Sequence, residues 1–263
     1  MALPLPNEIR NITENFPNLS LKYYKRIDIY EDGNFKELKK DKKSFLNDFV
    51  NLSKKTEYND VFSSIREKYL QKIGIQFSLH TASRLLFGIG YEHPTKIGFM
   101  FDWTSGLPII PGSSLKGVAL HIVENYIEEI KDLSLDNSEK DEIFGTKNNA
   151  GRIIFLPAYP IIEKNKAFLE LDVMTPHYQP YYSNSEENPP ADWYSPIPLH
   201  FLTVPEGIKY CFRLADREKI NDTNLKKPDG ELTLLGKAEK ILKYALTEFG
   251  VGAKTSIFYG YFK

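Results

Sequence analysis

From Ile73 onward the hydrophobic period of the chain changes from that of a helix to that of a strand. "IGIQFSLH" alternates Ile73, Ile75, Phe77 and Leu79 with Gly74, Gln76, Ser78 and His80, the pattern of a half-buried strand with one face on a core. Before it, residues 1–70 are charged and aromatic. There, "SFLNDFVNLSKK" sets Phe45, Leu46, Phe49 and Val50 at helical spacing, and "NDVFSSIREKYLQK" does the same with Val61, Phe62, Ile65 and Tyr69. These stretches predict an N-terminal helical extension, residues 1–70, lying on the core that follows.

A glycine-containing loop, "LFGIGYEHPTKIG", comes next, then an apolar run, "FMFDW", then "GLPIIPGSSLKG" leading into "VALHIVENYIEEI". Val118, Ile122, Tyr126 and Ile130, with Ala119, Val123 and Ile127 beside them, form a broad apolar stripe that predicts a long helix. "RIIFLPAYP", "AFLELDV", "LHFLTV" and "KYCFRLA" predict further strands. "ELTLLGKAEKILKYALTEF" predicts a second helix with Leu235, Ala238, Leu242, Ala245 and Phe249 on one face, and "SIFYGYFK" returns as a last strand. This order predicts an α+β fold over residues 71–263: an antiparallel sheet with helices on one face, of the ferredoxin-like kind. An insert at about 174–198, "TPHYQPYYSNSEENPPADWYSPIP", is too rich in Pro, Asn and Ser for regular structure and too aromatic for an idle linker. It is expected to be an ordered functional loop.

The 263 residues, 41% hydrophobic, can bury the core of one large domain or two small ones. Lys and Arg number 34 against 35 Asp and Glu, a net charge of -1, so no global field draws the molecule to nucleic acid or membrane. Any polyanion site must be a local patch. The single cysteine, Cys211, excludes an intramolecular disulfide and a multi-thiolate metal site, and fits a reducing cytosol. The opening "MALPLPNEIRNITENF" lacks the basic start and apolar run of a signal peptide, and no stretch approaches the roughly 18 apolar residues of a membrane span. A cytoplasmic protein with no membrane partner is expected.

Two segments carry phosphate-friendly chemistry. In "IPGSSLKGVALHIV", Pro111 and Gly112 turn the chain out of an apolar strand, Ser113 or Ser114 is suited to cap the helix, and Lys116 adds a charge in its first turn. Free N–H groups and a helix dipole pointing at one spot hold an anion; a plain turn and cap accounts for the same residues as simply. The closing "FGVGAKTSIFYGYFK" fails as a Walker A motif. Ala253 separates Gly252 from Lys254, Glu248 stands four residues before Gly252, and no helix can follow. What remains is a glycine-rich crossing, Gly250 and Gly252, in which Lys254, Thr255 and Ser256 offer one cation and two hydroxyls. In a ferredoxin-like sheet the two segments can lie close, so that Lys116 and Lys254 flank one phosphodiester path. A path, rather than a pocket, suggests a polynucleotide.

"TASRLLFGIGYEHP", "GLPIIPGSSLKG" and "FGVGAKTSIFYGYF", in that order, resemble the motifs of the RAMP superfamily of CRISPR proteins, over residues 71–263. The resemblance implies an RRM-like fold and a non-catalytic RNA-binding subunit of a type III-B (Cmr) effector complex. Such a subunit holds crRNA and target RNA near one end of the filament, beside other Cmr or RAMP subunits. Its RNA-binding residues would be Gly112, Ser113, Ser114, Lys116, Gly250, Gly252, Lys254, Thr255 and Ser256. Arg84, His93, His177 and Tyr178 in the quoted motifs and insert would join them. Two departures stand out: Phe258 occupies a position where the family carries glycine, and Leu120–His121 stands where many members carry a basic residue.

The relatives that cut target RNA carry an Asp where Lys96 stands here, so no cleaving role is expected. The alternative class, a metal-independent endoribonuclease acting on precursor crRNA, would use His93 or His177 as acid or base. His80, His121 and His200 read as tolerated histidines on a strand or helix. His121 and Glu124 make a common i, i+3 pair without a third ligand, and Asp102, Asp172 and Asp192 could act together only if folding gathers them. No metal or cofactor is expected. Tyr178, Tyr181, Tyr182, Trp193 and Tyr194 could stack on unpaired bases or form a subunit interface.

Overall fold

A computed structural model describes residues 18–25, 30–31, 34–38, 41–55, 72–163 and 165–263. The N-terminal region contributes helix α1 (Leu19–Tyr24), an antiparallel pair β1 (Tyr30–Glu31) and β2 (Asn34–Leu38), and helix α2 (Lys42–Ser53). It is therefore not purely helical. The predicted helix around Val61–Tyr69 lies outside the described residues. Strand β3 (Ile75–His80) then leads to α3 (Gly112–Asn125), α4 (Asn137–Phe144), β4 (Ile153–Phe155) and β5 (Tyr159–Pro160). Strand β6 (Glu170–Met174), the short helix α5 (Gln179–Ser183), β7 (Leu199–Thr203), β8 (Lys209–Asp216) and α6 (Leu234–Tyr244) complete the order.

β8 is the centre of the main sheet. Seven of its eight residues, Tyr210 to Asp216, are buried, as expected of a strand covered on both faces. β3 pairs along one side of it, from Ile75 opposite Leu214 to His80 opposite Lys209, and β4 and β5 share the other side. "RIIFLPAYP" is thus two short strands, broken at residues 156–158, rather than one. The C-terminal tail closes the outer edge of β3: His80 N–H donates to Lys263 O at 2.9 Å and Ala82 N–H to Tyr261 O at 2.7 Å. The spatial order is tail, β3, β8, then β4 with β5. In the tail, "SIFYGYFK", only the last residues pair, because Thr255–Ile257 form a single 3-10 turn.

Helices α3 and α6 pack on each other and on β4, and α6 also packs on β8. α6 starts at Thr233, whose side-chain oxygen accepts from Gly236 N–H, the usual N-cap bond. It buries Leu235, Ala238, Ile241 and Leu242, and continues through a π turn, Ala245–Phe249, that stops at Gly250. α3 buries Leu115, Ala119, Ile122 and Val123. Each large apolar side chain so removed from water contributes about 1.5–3 kcal/mol. The helix is shorter than its apolar stripe predicts: Tyr126 leaves helical geometry (φ -139, ψ 16), and Ile127–Glu129 make a separate 3-10 turn.

β6 and β7 form a hairpin in register from Glu170–Thr203 to Met174–Leu199, and α2 packs across both strands. α2 is capped by Asp41, whose carboxylate accepts from Ser44 N–H at 3.1 Å, and it buries Phe45, Leu46 and Phe49. The insert between β6 and β7 holds one piece of regular structure that the sequence reading did not expect, α5. Pro180 sits in its first turn, where a missing N–H costs nothing.

Candidate nucleic-acid interface

Three stretches far apart in sequence meet at one open groove of about 740 Å³. The loop after β3 contributes Phe87 to Tyr91, α3 contributes Ser114, Gly117 and Val118, and the C-terminal crossing contributes Gly250 to Ala253 and Thr255. Ser114, Gly117 and Val118 stand at i, i+3 and i+4, which places them on one face of α3. The crossing is zipped to the first loop by Ala253 N–H, which donates to Leu86 O at 2.8 Å. Gly252 sits there at φ +104, and a Cβ on it would fall 2.6 Å from that same carbonyl oxygen. Only glycine fits both conditions. The serine-containing turn and the glycine crossing therefore open onto the same groove.

The cap differs from expectation. α3 begins at Gly112, with Pro111 as its N-cap, and neither Ser113 nor Ser114 makes a side-chain cap bond. Among the described residues the N–H groups of Gly112 and Ser113 have no acceptor, so the positive end of the helix is not neutralised by the protein itself. Gly112 does not line the groove: a Cβ there would lie 2.0 Å from Phe155 O, so its bare backbone lets α3 seat against β4. Ser113 and Ser256 are exposed beside the groove-lining residues. Lys116 directly precedes the lining residue Gly117, and Lys254 stands between Ala253 and Thr255. Both lysines are half-buried, and among the described residues neither has a carboxylate partner.

Four residues expected at the site are placed elsewhere. Arg84 is held by carboxylates, its Nε 2.6 Å from Glu170 Oε1 and a terminal nitrogen 3.3 Å from Asp172 Oδ2. Tyr259 donates to the same Asp172 at 2.5 Å. The Glu170 contact raises the arginine's pKa further above its ordinary value, so its charge is already matched within the protein. His93 is buried against the ring of Tyr23, with centroids 3.9 Å apart. Its Nε2 donates to Tyr23 O at 3.0 Å while Nδ1 accepts from Thr95 N–H at 3.2 Å, and burial pulls its pKa below the usual histidine value. A core imidazole with both nitrogens occupied reaches neither a ribose nor a phosphate. This removes it as an RNA contact and as an acid or base.

His177 is exposed in the insert, and Tyr178 donates to Asp192 at 3.3 Å. Neither lines the groove. The three aspartates lie at separate places: Asp102 holds Ser105, Asp172 meets Arg84, and Asp192 meets Tyr178. Sequence reasoning missed Phe87, Ile89, Tyr91, Met100 and Val118, the apolar wall of the groove. The signal for part of it lies in "LFGIGYEHP", where Phe87, Ile89 and Tyr91 alternate with the glycines.

The sequence pattern of the RAMP superfamily matches residues 78–263. The chain is 32% identical over 257 residues to the CRISPR system Cmr subunit Cmr6 of Pyrococcus furiosus, covering 78% of this chain and 70% of that one. It is 31% identical over 156 residues to the Cmr6 of Saccharolobus solfataricus, covering 57% of this chain and about half of that relative, 49%. Among solved structures, a chain of the type III-B Cmr-beta complex bound to cognate target RNA superposes with a TM-score of 0.59. That match covers 92% of this chain and 78% of that chain at 23% identity, and is a likeness of fold. A matched pattern over most of the length, with a relative this similar, places the chain in the RAMP superfamily, in its Cmr6 family.

Proposed function

We propose that the chain is an RNA-binding, non-catalytic subunit of a type III-B CRISPR effector in the cytoplasm, holding crRNA and target RNA beside other Cmr subunits near one end of the filament. The observation that carries this reading is the groove shared by the first turns of α3 and the Gly250–Thr255 crossing, with Lys116 and Lys254 each next in sequence to a lining residue. Backbone N–H groups, a helix dipole and two lysines make contacts to phosphates without reading base sequence, and guide pairing supplies the specificity. The order tail, β3, β8, β4/β5 with two crossing helices supports an RRM-like arrangement over residues 71–263, with residues 1–70 as an extension carrying α1 and α2. Ser113, Ser114, Thr255 and Ser256 add hydroxyl contacts along the path. His177, Tyr178 and the exposed Tyr182 and Trp193 of the insert belong to a separate contact surface.

The test is photocrosslinking of an assembled effector carrying thiouridine-substituted RNA. Crosslinked peptides from 87–91, 112–118 and 250–256 are expected. Crosslinks confined to other faces of the subunit overturn the reading.

A further inference from the structure

Beside the groove, and sharing Tyr91 and Met100 with its lining, lies a second cavity of about 340 Å³, within the size range of pockets that hold small ligands. Its walls are aromatic and include one carboxylate: Tyr24, Tyr91, Trp103 and Asp102, with Pro111 at the start of α3. Trp103 is 54% exposed and Tyr91 49% exposed. Both rings line the cavity and keep about half of their surface open to solvent.

The walls are built rather than incidental. The Trp103 loop is tied to the start of α1 by Asn18, whose Nδ2 donates to Trp103 O at 2.8 Å and to Thr104 O at 3.0 Å. The Trp103 ring stacks on Tyr24 with centroids 5.1 Å apart and planes at 27°. Lys25 Nζ lies 5.7 Å from the centre of the same indole. Asp102 is fixed through Oδ2, which accepts the Ser105 N–H at 2.7 Å and hydroxyl at 2.6 Å. Its Oδ1 accepts no hydrogen bond among the described residues.

We infer that this cavity takes one unstacked guanine base from the single-stranded RNA whose backbone follows the neighbouring groove. The inference rests on the proposed function, and it adds the ligand's chemistry. Flat aromatic walls match the faces of a base, and the cavity opens where a strand in the groove passes the start of α3. A carboxylate is an acceptor only, so it selects a base edge that presents donors side by side. Guanine, with N1–H and an exocyclic amino group, offers two such donors, whereas uracil offers one. Lys25 above the indole supplies a cation for the adjoining phosphate.

The Trp193→Phe variant of the full chain leaves Trp103 as its single indole. Its fluorescence is titrated with an oligouridine and with the same oligonucleotide carrying one central guanosine. The inference expects quenching of Trp103 and tighter binding of the guanosine strand. Trp103→Ala should weaken that binding by roughly 5- to 150-fold, measured by polarisation of labelled RNA. Asp102→Asn, which keeps an acceptor for Ser105, should abolish the preference for guanosine over uridine. Absence of quenching, equal affinity for the two strands, or full affinity in Trp103→Ala each overturns the guanine site. The phosphate groove fails separately, when Lys116→Ala and Lys254→Ala leave affinity unchanged in the assembled effector.

Discussion

Val251 and Gly260 are locked across the C-terminal crossing: Val251 N–H donates to Gly260 O at 2.9 Å, and a Cβ on Gly260 would sit 2.0 Å from Val251 O. With φ at +80, Gly260 holds the tail against the crossing so that its remaining residues can pair with β3. Gly260→Ala adds both a backbone collision and left-handed strain. It should cost roughly 2–4 kcal/mol, on the order of 5–15 °C in Tm for a chain of this size, measured by thermal unfolding. A melting curve unchanged from the parent would contradict this account of the tail.

Phe258 has the opposite problem. It is held at φ +65, where a glycine would be unstrained, yet its ring is 77% exposed and gains little from burial. Phe258→Gly is expected to be about 1 kcal/mol more stable than Phe258→Ala, since alanine keeps the left-handed strain and glycine does not. Chemical denaturation of the two variants side by side measures the difference.

Asp216, buried at the end of β8, receives three bonds from Arg152: Nε to both carboxylate oxygens at 2.9 and 3.0 Å, and a terminal nitrogen at 2.8 Å. The guanidinium holds the Asp216 carboxyl below its ordinary pKa. The folded carboxyl thus releases its proton at lower pH than the unfolded one. The resulting stability is present above about pH 4 and is lost as pH falls toward the folded value. Asp216→Asn should cost about 1–3 kcal/mol at neutral pH and flatten the acid limb of a stability–pH curve.

For His93 the sign is also one of loss on acidification, for a different reason. Burial lowers its folded pKa, so in mildly acid solution the unfolded chain binds the proton that the folded chain refuses. Its contribution is present above about pH 6.5 and decays below it. His93→Gln should remove that slope between pH 6.5 and 5 in denaturation experiments, and should leave RNA affinity unaltered.

Much of the frame was legible because it rests on local patterns. The period-two run at Ile75–Leu79, the apolar faces of α3 and α6 and the strands after them come from side-chain spacing that packing then satisfies. Boundaries were less legible: Tyr126 ends α3 although the apolar stripe runs on to Ile130, because backbone geometry there, rather than hydrophobicity, decides. The shared groove could be foreseen from the order of strands. Its apolar wall and the locations of Arg84 and His93 could not, since each depends on partners more than 60 residues away, Glu170 for one and Tyr23 for the other. Spacing within a motif carries no record of such partners.

The central claim is that Lys116 and Lys254 flank one RNA backbone path, and the salt dependence of binding tests it most directly. In effectors reconstituted with the parent chain or with Lys116→Ala/Lys254→Ala, log affinity for RNA is measured against log salt concentration. Loss of two phosphate contacts should make the slope shallower by roughly 1.4, at about 0.7 per contact on a single strand. Parallel lines, with the same affinity at every salt concentration, would contradict it.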